Sequence, residues 1–171
     1  MVNINAMIRA VKLEDAVEIA EIYNYYILNS CVTFEEFAVS AEEMRGRIES
    51  TNSKYPWFVF EKDNVILGFA YASAWKPRSA YKYTVESTVY LKKEAIKNGI
   101  GSMLYTALIG QLTELGFHAV IGGISLPNEA SIALHEKFGF EKIAQFKEVG
   151  YKFKKWIDVG YWELLINKNS I

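Results

Sequence analysis

Hydrophobic positions along the chain follow two periodicities, and each predicts a type of element. Ala16, Ala20, Tyr23 and Ile27 recur every three or four residues, which places them on one face of a helix. Short runs rich in Val, Tyr, Thr and Phe are typical of strands. The predicted strands are 7–11, 57–61, 65–75, 81–91, 117–124, 141–149 and 156–166, and the predicted helices are 12–30, 41–51, 99–116 and 128–138.

Capping and turn signals stand at the borders of these elements. Ser40 and Glu43 have the spacing of a capping box, in which each side chain bonds the other residue's backbone N–H. Residues 63–64, Asp-Asn, predict a hairpin turn, and Gly116 suits a helix C-terminus. The element order β-α-α-β-β-β-α-β-α-β-β predicts an α/β or α+β fold with a mixed sheet. Four leucines of the third helix are predicted to share a face: Leu104, Leu108, Leu112 and Leu115.

The composition fits one globular domain and excludes several classes of protein. The 171 residues are 51% hydrophobic and 23% charged, which excludes a disordered chain and predicts a single domain over 1–171. The 19 Lys and Arg balance 20 Asp and Glu, so the basic surface of a nucleic-acid or anionic-membrane binder is not expected. The longest uncharged stretch, 98–113, contains polar residues and falls short of the roughly 20 apolar residues that span a bilayer.

Cysteine and histidine are too few for a Cys-rich metal site. Cys31 is the single cysteine, and His118 and His135 are the two histidines, so neither an internal disulfide nor a cysteine-rich zinc site is expected. This usage is typical of a reducing compartment. Residues 1–15 lack a basic region followed by an apolar run, so no signal peptide is expected. We therefore expect a cytoplasmic protein without a metal.

A glycine-containing loop at the start of the third helix predicts an anion site. Residues 97–102, Lys-Asn-Gly-Ile-Gly-Ser, follow a strand and open this helix. Gly99 and Gly101 allow a tight turn and a close ligand approach, and the first N–H groups of a helix attract phosphate. The pattern also fits a plain strand-to-helix turn. Leu104 stands where the dinucleotide fingerprint needs its third glycine, so that motif is absent.

With a second block downstream, this loop resembles the GNAT family of acyl-CoA-dependent N-acetyltransferases. The family combines R/Q-x-x-G-x-G/A with N-x-x-A/S-x-x-L-Y/H-x-x-x-G-F about thirty residues later. Ile96 departs from the pattern, because the family usually has Arg or Gln there. The resemblance implies a mostly antiparallel central sheet with helices on both faces. The second block matches at Asn128, Ser131, Leu134, His135, Gly139 and Phe140.

The resemblance also implies acetyl-CoA as co-substrate. In the family, the loop amides hold the pyrophosphate of coenzyme A, and the Asn lies beside the pantetheine. Backbone N–H groups around Tyr90 and Leu91 are expected to hold the developing oxyanion. The residues implied for acetyl-CoA binding are Val89, Tyr90, Leu91, Lys97, Asn98, Gly99, Ile100, Gly101, Ser102 and Asn128.

Residues 75–90 resemble a narrower group, the phosphinothricin and methionine sulfoximine N-acetyltransferases. That group has the pattern W-K-x-R-x-A-Y-x-x-T-V-E-S-T-V-Y, and residues 144–162 are similar to its closing hairpin. The similarity covers residues 8–165. It implies acetyl transfer to the α-amine of a small amino acid analogue, such as methionine sulfoximine, methionine sulfone or phosphinothricin. It also implies a homodimer.

Glu86 is the predicted base. An α-amino group is largely protonated at pH 7, and its attack on a thioester requires the neutral amine. Strand alternation places Thr84, Glu86, Thr88 and Tyr90 on one face. If that face is buried, desolvation raises the carboxyl pKa toward useful basicity. A charge on a solvated sheet face is the alternative interpretation.

His135 and Arg78 are the next candidates. His135 stands where many family members carry a Tyr that protonates the departing thiolate or assists deprotonation through water, and a histidine could do either near neutral pH; a core or surface histidine is the alternative. Arg78 offers a fork of donors that matches a carboxylate or phosphinate, unless it is a solvated loop charge. The other residues predicted around the acceptor are Phe34, Trp75, Lys76, Tyr81, Thr88 and Tyr151. A solvated charge is the alternative for Lys76, and core packing is the alternative for each of the four aromatic residues.

Two other functions stay open at this point. An acetyltransferase of the same fold could act on a protein N-terminus or another amine, although Lys76, Arg78 and Tyr81 suit a small anionic acceptor. A non-catalytic acyl-CoA sensor would keep the glycine loop, and Glu86 and His135 speak against it. The sequence does not rank the three amino acid analogues.

Overall fold

The predicted elements are all present, in the predicted order. The structure is a computed structural model and describes residues 6–167. The strands are β1 (Ala6–Ala10), β2 (Trp57–Lys62), β3 (Val65–Ala74), β4 (Thr84–Leu91), β5 (Ala119–Ser125), β6 (Glu141–Lys152) and β7 (Lys155–Leu165). The helices are α1 (Ala16–Asn29), α2 (Ala41–Asn52), α3 (Ile100–Glu114) and α4 (Glu129–Lys137). None of these four helices is long and apolar enough to cross a bilayer.

The strands form a mixed, mostly antiparallel sheet. Their order is β1-β2-β3-β4-β5-β7-β6. The pair β4/β5 is parallel, whereas β1/β2, β2/β3, β5/β7 and β6/β7 are antiparallel. A parallel pair needs a long crossover, which here contains α3. The predicted α/β class and mixed sheet are confirmed.

The described residues group into two compact units, and the chain passes between them several times. Neither unit is therefore a continuous segment, and β4 contributes to both. The interpretation of 1–171 as a single domain stays a prediction. Unit 1 contains the residues up to Tyr23, Val39–Ser73 and Thr88–Leu112, and unit 2 contains Asn24–Ala38, Ala74–Ser87 and the residues from Thr113 onward.

Unit 1 is built on the apolar faces of α2, α3 and the first part of α1. The predicted capping box of α2 is present: Glu43 N–H donates to Ser40 Oγ at 3.1 Å, and Ser40 N–H donates to Glu43 Oε2 at 2.8 Å. These bonds satisfy two N–H groups at a helix start. Fully buried side chains of this unit include Ile19, Val59, Phe69, Leu104 and Leu108.

Unit 2 is centred on β5, which is buried along most of its length. Strand β7 pairs with β5 over seven residue pairs and with β6 on its other side. The β6–β7 hairpin turns at Phe153 and Lys154, whose φ angles are 50° and 60°. Strand β6 is an edge strand, and most of its residues are exposed.

Three predicted details were wrong, each for a local reason. The strand predicted to start at residue 81 begins at Thr84, because Ser79–Tyr81 form a short 3-10 helix. The first helix begins at Ala16 after a 3-10 turn at Leu13–Asp15. Leu115 does not join the buried leucine face and is 55% exposed, because α3 ends one residue earlier.

Candidate active site

Glu86 lies on β4 beside an opening in β5. Its backbone is in register with Ile121 of β5. A Cβ at Gly123 would lie 3.0 Å from Glu86 Oε1. Gly123 is also the one residue of β5 that is exposed. The carboxylate therefore occupies space that a side chain on β5 would fill, at a point reached by solvent.

The environment of Glu86 raises the pKa of its carboxyl group. Burial is the main cause, because a charged carboxylate loses hydration there. The positive charge of Lys76 opposes the shift by stabilising the ionised form. A carboxylate with a raised pKa that stays reachable is suited to accept a proton from an amine.

Tyr161 is a site residue that the sequence interpretation missed. It is the cross-strand partner of Gly123 on β7, and a Cβ at Gly123 would lie 3.4 Å from its ring. Burial and the charge of Glu86 both raise the pKa of Tyr161, so its hydroxyl stays protonated. The ring is packed edge-on against Trp75 and Phe146, with both centroid distances 5.6 Å.

Two predicted cations lie on aromatic rings beside the start of β4. Lys76 Nζ is 4.6 Å from the centroid of Trp75, and Arg78 Cζ is 5.6 Å from that of Tyr81. Both cations are exposed. Ring contacts of this kind orient a long cationic side chain while leaving its donors available. Within unit 2, the structure thus brings together three predicted residues, Trp75, Lys76 and Glu86. Tyr161, which was not predicted, lies with them.

Two adjacent glycines of β5, Gly122 and Gly123, leave space for other side chains on the two faces of that strand. Consecutive residues point to opposite faces, so Gly122 and Gly123 open opposite sides. Gly123 makes room for Glu86, whereas a Cβ at Gly122 would collide with the imidazole of His135. A run of two glycines in a buried strand signals close approach by other groups, and this signal was available in the sequence. Glu86 and His135 therefore lie against opposite faces of β5.

His135 is packed between α4 and β5. It is 3% exposed, and its Nδ1–H donates to the Ser131 carbonyl at 2.7 Å. Its ring is edge-on to Phe140 at 4.9 Å. Burial lowers the pKa of His135, and the bond to Ser131 only partly opposes this. Its role as a proton donor stays a prediction, and the geometry favours the alternative of a core histidine.

Asn128 is the N-cap of α4. Its Oδ1 accepts a hydrogen bond from the Ser131 backbone N–H at 3.1 Å. This bond accounts for an Asn at this position through helix capping alone. A contact between Asn128 and pantetheine stays a prediction.

The predicted phosphate loop of unit 1 is an exposed turn that leads into α3. Lys97 and Gly99 have φ angles of 68° and 78°, so two closely spaced left-handed residues reverse the chain. The Met103 N–H donates to the Gly99 carbonyl at 3.1 Å. Earlier N–H groups of a helix have no intrahelical acceptor and form an anion site. Lys97, Asn98 and Gly99 are exposed, whereas Ile100 and Gly101 are buried.

The second half of β4 is packed into unit 1. The ring of Tyr90 lies 5.1 Å from that of Tyr23 and 5.7 Å from that of Phe69. A Cβ at Gly68 would collide with Leu91. The side chains of Tyr90 and Leu91 therefore have a packing role. Oxyanion binding by the backbone N–H groups around these two residues stays a prediction. Thr88 and Val89 are half-buried on the same strand.

The aromatic residues predicted around the acceptor separate into different environments. Phe34 packs against Gly150 of β6, and a Cβ there would collide with its ring. Tyr151 is the next residue along β6, so its side chain points to the opposite face. Tyr151 is 53% exposed and lies against Trp156 at 4.8 Å. The structure does not bring Tyr151 together with Phe34.

Comparison with known proteins decides the family. Residues 8–160 match the model of the acetyltransferase (GNAT) domain. A phosphinothricin N-acetyltransferase of Streptomyces viridochromogenes is 39% identical over 156 residues, covering 91% of this chain and 85% of the relative. The chain belongs to the GNAT acetyltransferase family. The predicted family and the predicted enzyme class, an N-acetyltransferase, are confirmed.

Two further relatives support the narrower group. A methionine sulfoximine/methionine sulfone acetyltransferase of Salmonella typhimurium is 31% identical and covers 95% of this chain and 96% of its own. The crystal structure of a GNAT phosphinothricin acetyltransferase from Sinorhizobium meliloti, in complex with acetyl-CoA, superposes with a TM-score of 0.93. The Sinorhizobium meliloti enzyme is 36% identical to this chain, and the match covers 97% of this chain and 91% of the Sinorhizobium meliloti chain. This acetyltransferase therefore belongs with the phosphinothricin and methionine sulfoximine group.

Burial of neutral His135 predicts a specific pH dependence of stability. The unfolded histidine titrates near its usual pKa of about 6.5, whereas the folded one titrates lower. Below about pH 6.5 the unfolded state therefore binds more protons, and stability falls. From about pH 7.5 to about pH 5 we expect the Tm of the wild type to fall further than that of His135→Gln.

The matched control is His118→Gln, because His118 is the exposed histidine. Its Tm should follow the wild type across the same pH range. Parallel Tm curves for the wild type and His135→Gln would contradict the assignment of His135 as a buried neutral group.

Proposed function

We propose that this GNAT enzyme transfers the acetyl group of acetyl-CoA to the α-amine of a small amino acid analogue. The acceptor would be of the methionine sulfoximine, methionine sulfone or phosphinothricin type. The observation that carries the proposal is the position of the half-buried Glu86 carboxylate beside the exposed Gly123. Lys76, whose charge acts on Glu86, supplies a cation for an acidic acceptor.

The proposed reaction is a direct attack without a covalent enzyme intermediate. Glu86 accepts a proton from the acceptor ammonium, directly or through water. The neutral amine nitrogen forms a bond to the thioester carbonyl carbon and then loses its second proton. The carbon–sulfur bond breaks, and coenzyme A leaves as a thiolate that takes up that second proton, directly or through water. Cys31 has no assigned part in these steps. The raised pKa of Glu86 supports its role as base, because a stronger base removes an amine proton more readily.

The proposed site for acetyl-CoA is the turn of residues 97–102 at the start of α3. The positive φ angles of Lys97 and Gly99 and the helix N-terminus support binding of a pyrophosphate. Hydrogen bonds from backbone amides depend little on side-chain identity. We therefore propose that Ile96, in place of the usual Arg or Gln, weakens coenzyme A binding without abolishing it.

Arg78 and Lys76 are proposed to hold the acidic group of the acceptor. An α-carboxylate lies next to the reacting amine in all three acceptor types. The planar guanidinium of Arg78 matches such an anion with paired hydrogen bonds. Its exposure and its place on the ring of Tyr81 support this role. A peptide N-terminus has no such anion, which makes protein acetylation the second candidate only.

Glu86→Gln should remove the base and leave acetyl-CoA binding intact. We expect kcat for methionine sulfoximine or phosphinothricin to fall by about 10²–10⁴-fold near neutral pH. The loss should shrink as pH rises, because bulk solvent then deprotonates the amine. Thiol release from acetyl-CoA measures turnover, and calorimetry measures acetyl-CoA affinity.

Glu141→Gln is the matched control, an exposed glutamate at the start of β6. It should keep the wild-type kcat. Turnover of Glu86→Gln equal to the wild type would overturn the base assignment, and wild-type turnover on peptides alone would overturn the acceptor class.

Arg78→Ala should chiefly raise KM for the acidic acceptor. Loss of a charge-assisted pair costs roughly 1.5–3 kcal/mol, or a rise in KM of about 10- to 100-fold. The control is Lys82→Ala, which removes another exposed cation that lies on a tyrosine ring, 4.9 Å from Tyr83. An unchanged KM in Arg78→Ala, measured by thiol release, would show that Arg78 does not bind the acceptor anion.

We also propose that the enzyme is a cytoplasmic homodimer that pairs through the β6–β7 hairpin. An edge strand with exposed apolar residues is a surface that proteins usually cover. The exposed apolar residues of this hairpin are Ile143, Phe146, Val149, Tyr151, Phe153 and Trp156.

Trp156→Glu should convert the proposed dimer to a monomer in sedimentation velocity experiments, because it places a charge within the apolar surface. Phe37→Glu is the control, since Phe37 is 85% exposed and lies outside the hairpin. It should sediment as the wild type does. A wild-type monomer at all concentrations would contradict the dimer.

A further inference from the structure

The segment between α1 and α2 has no regular structure and depends on side-chain contacts for its position. It carries Phe34, which the sequence predicts to lie beside the acceptor of the proposed reaction. Within the segment, the Glu35 N–H donates to Thr33 Oγ1 at 3.3 Å. Its contacts with β6, at Gly150 and Lys152, lie more than 100 residues away along the chain.

Lys152 is a buried cation bonded to this segment. It is 2% exposed, and its Nζ donates to the Thr33 carbonyl at 2.8 Å. Burial lowers the pKa of Lys152, and the side chains of Cys31, Glu36 and Glu35 oppose that shift. Removing an ammonium group from water is unfavourable, so its burial requires compensating partners. The polar and charged partners belong to the segment that carries Phe34, and the ring of Phe153 lies 5.1 Å from the Lys152 Nζ on the other side.

Gly150 makes a second contact with the same segment, two residues away and on the same face of β6. The ring of Phe34 occupies the space that a side chain at Gly150 would need. A Cβ at position 150 would lie 2.9 Å from Phe34 Cδ1. The backbone of Gly150 does not have a positive φ, so chain conformation does not demand glycine here. Close approach of the ring explains the residue.

We propose that Gly150 and Lys152 are positioning residues that hold Phe34 as one wall of the acceptor site. Gly150 sets the depth of the ring, and Lys152 fixes the backbone one residue before it. An apolar ring held in one place selects an acceptor by the shape of its side chain. This inference rests on the proposed function, because it takes Phe34 as an acceptor contact.

The kinetic test uses Gly150→Ala. The added methyl group displaces the Phe34 ring, so we expect KM for the acceptor to rise about tenfold. KM for acetyl-CoA should stay within about twofold of the wild type, since the displaced ring belongs to the acceptor wall. In a Phe34→Ala background, Gly150→Ala should add no further change, because there is no ring left to displace.

Gly110→Ala is the matched control. Gly110 lies within α3, and a Cβ there meets nothing within 4 Å. It should leave both KM values unchanged. An unchanged acceptor KM in Gly150→Ala, or an equal rise with and without Phe34, would overturn the positioning role.

A second test needs no turnover and therefore separates this inference from the proposed function. Lys152→Met keeps an unbranched stem but removes the donor to Thr33. We expect a glutamate-specific protease to cleave the native variant after Glu35 or Glu36 about tenfold faster than the wild type. Cleavage at the wild-type rate would overturn the role of Lys152.

The two tests fail in different ways. Absence of turnover by the wild type on any amino acid amine would contradict the proposed function, while faster cleavage of Lys152→Met would still show that Lys152 holds the segment. A melting curve for each variant shows whether it is folded. Lys152→Gln, which restores an N–H donor on a shorter side chain, should recover part of the protection.

Discussion

The proposed chemistry depends on one constraint, the partial burial of the Glu86 carboxylate inside a sheet. A β-strand offers little room for a charge next to a neighbouring strand, and here the room exists because β5 has no side chain at Gly123. Tyr161 lines the same space from β7, and Lys76 supplies a moderating positive charge. The raised pKa follows from this packing, and the proposed base chemistry follows from the raised pKa.

Gly122 and Gly123 of β5 make room for side chains on opposite faces of the strand. Gly123 opens one face to Glu86 and Tyr161, whereas Gly122 opens the other to His135. On its face, His135 is buried and bonded to the Ser131 carbonyl, which suits a residue that fastens α4 to the sheet. One strand thus has Glu86 and Tyr161 against one face and the packed imidazole of His135 against the other.

Local patterns in the sequence were enough to predict the elements, the capping box at Ser40 and the glycine turn before α3, since each depends on neighbours in the chain. Alternation along β4 predicted which residues share a face with Glu86, and its role as base stays a prediction. The contribution of Tyr161 was missed because it depends on the register of β7 with β5. The separation of Tyr151 from Phe34 was missed because it depends on which face of β6 contacts a distant segment.

A titration of Glu86 itself tests whether its place in the sheet raises the pKa of its carboxyl group. In the folded enzyme labelled with ¹³C at the glutamate side-chain carboxyl carbons, the Glu86 resonance is the one that disappears in Glu86→Gln. We predict that it titrates clearly above the usual glutamate pKa of about 4.3, and higher still in Lys76→Met, which lacks the opposing charge. Titration at or below the usual value would show that the sheet does not raise the pKa of this carboxyl group, and it would contradict the role of Glu86 as a base with raised pKa.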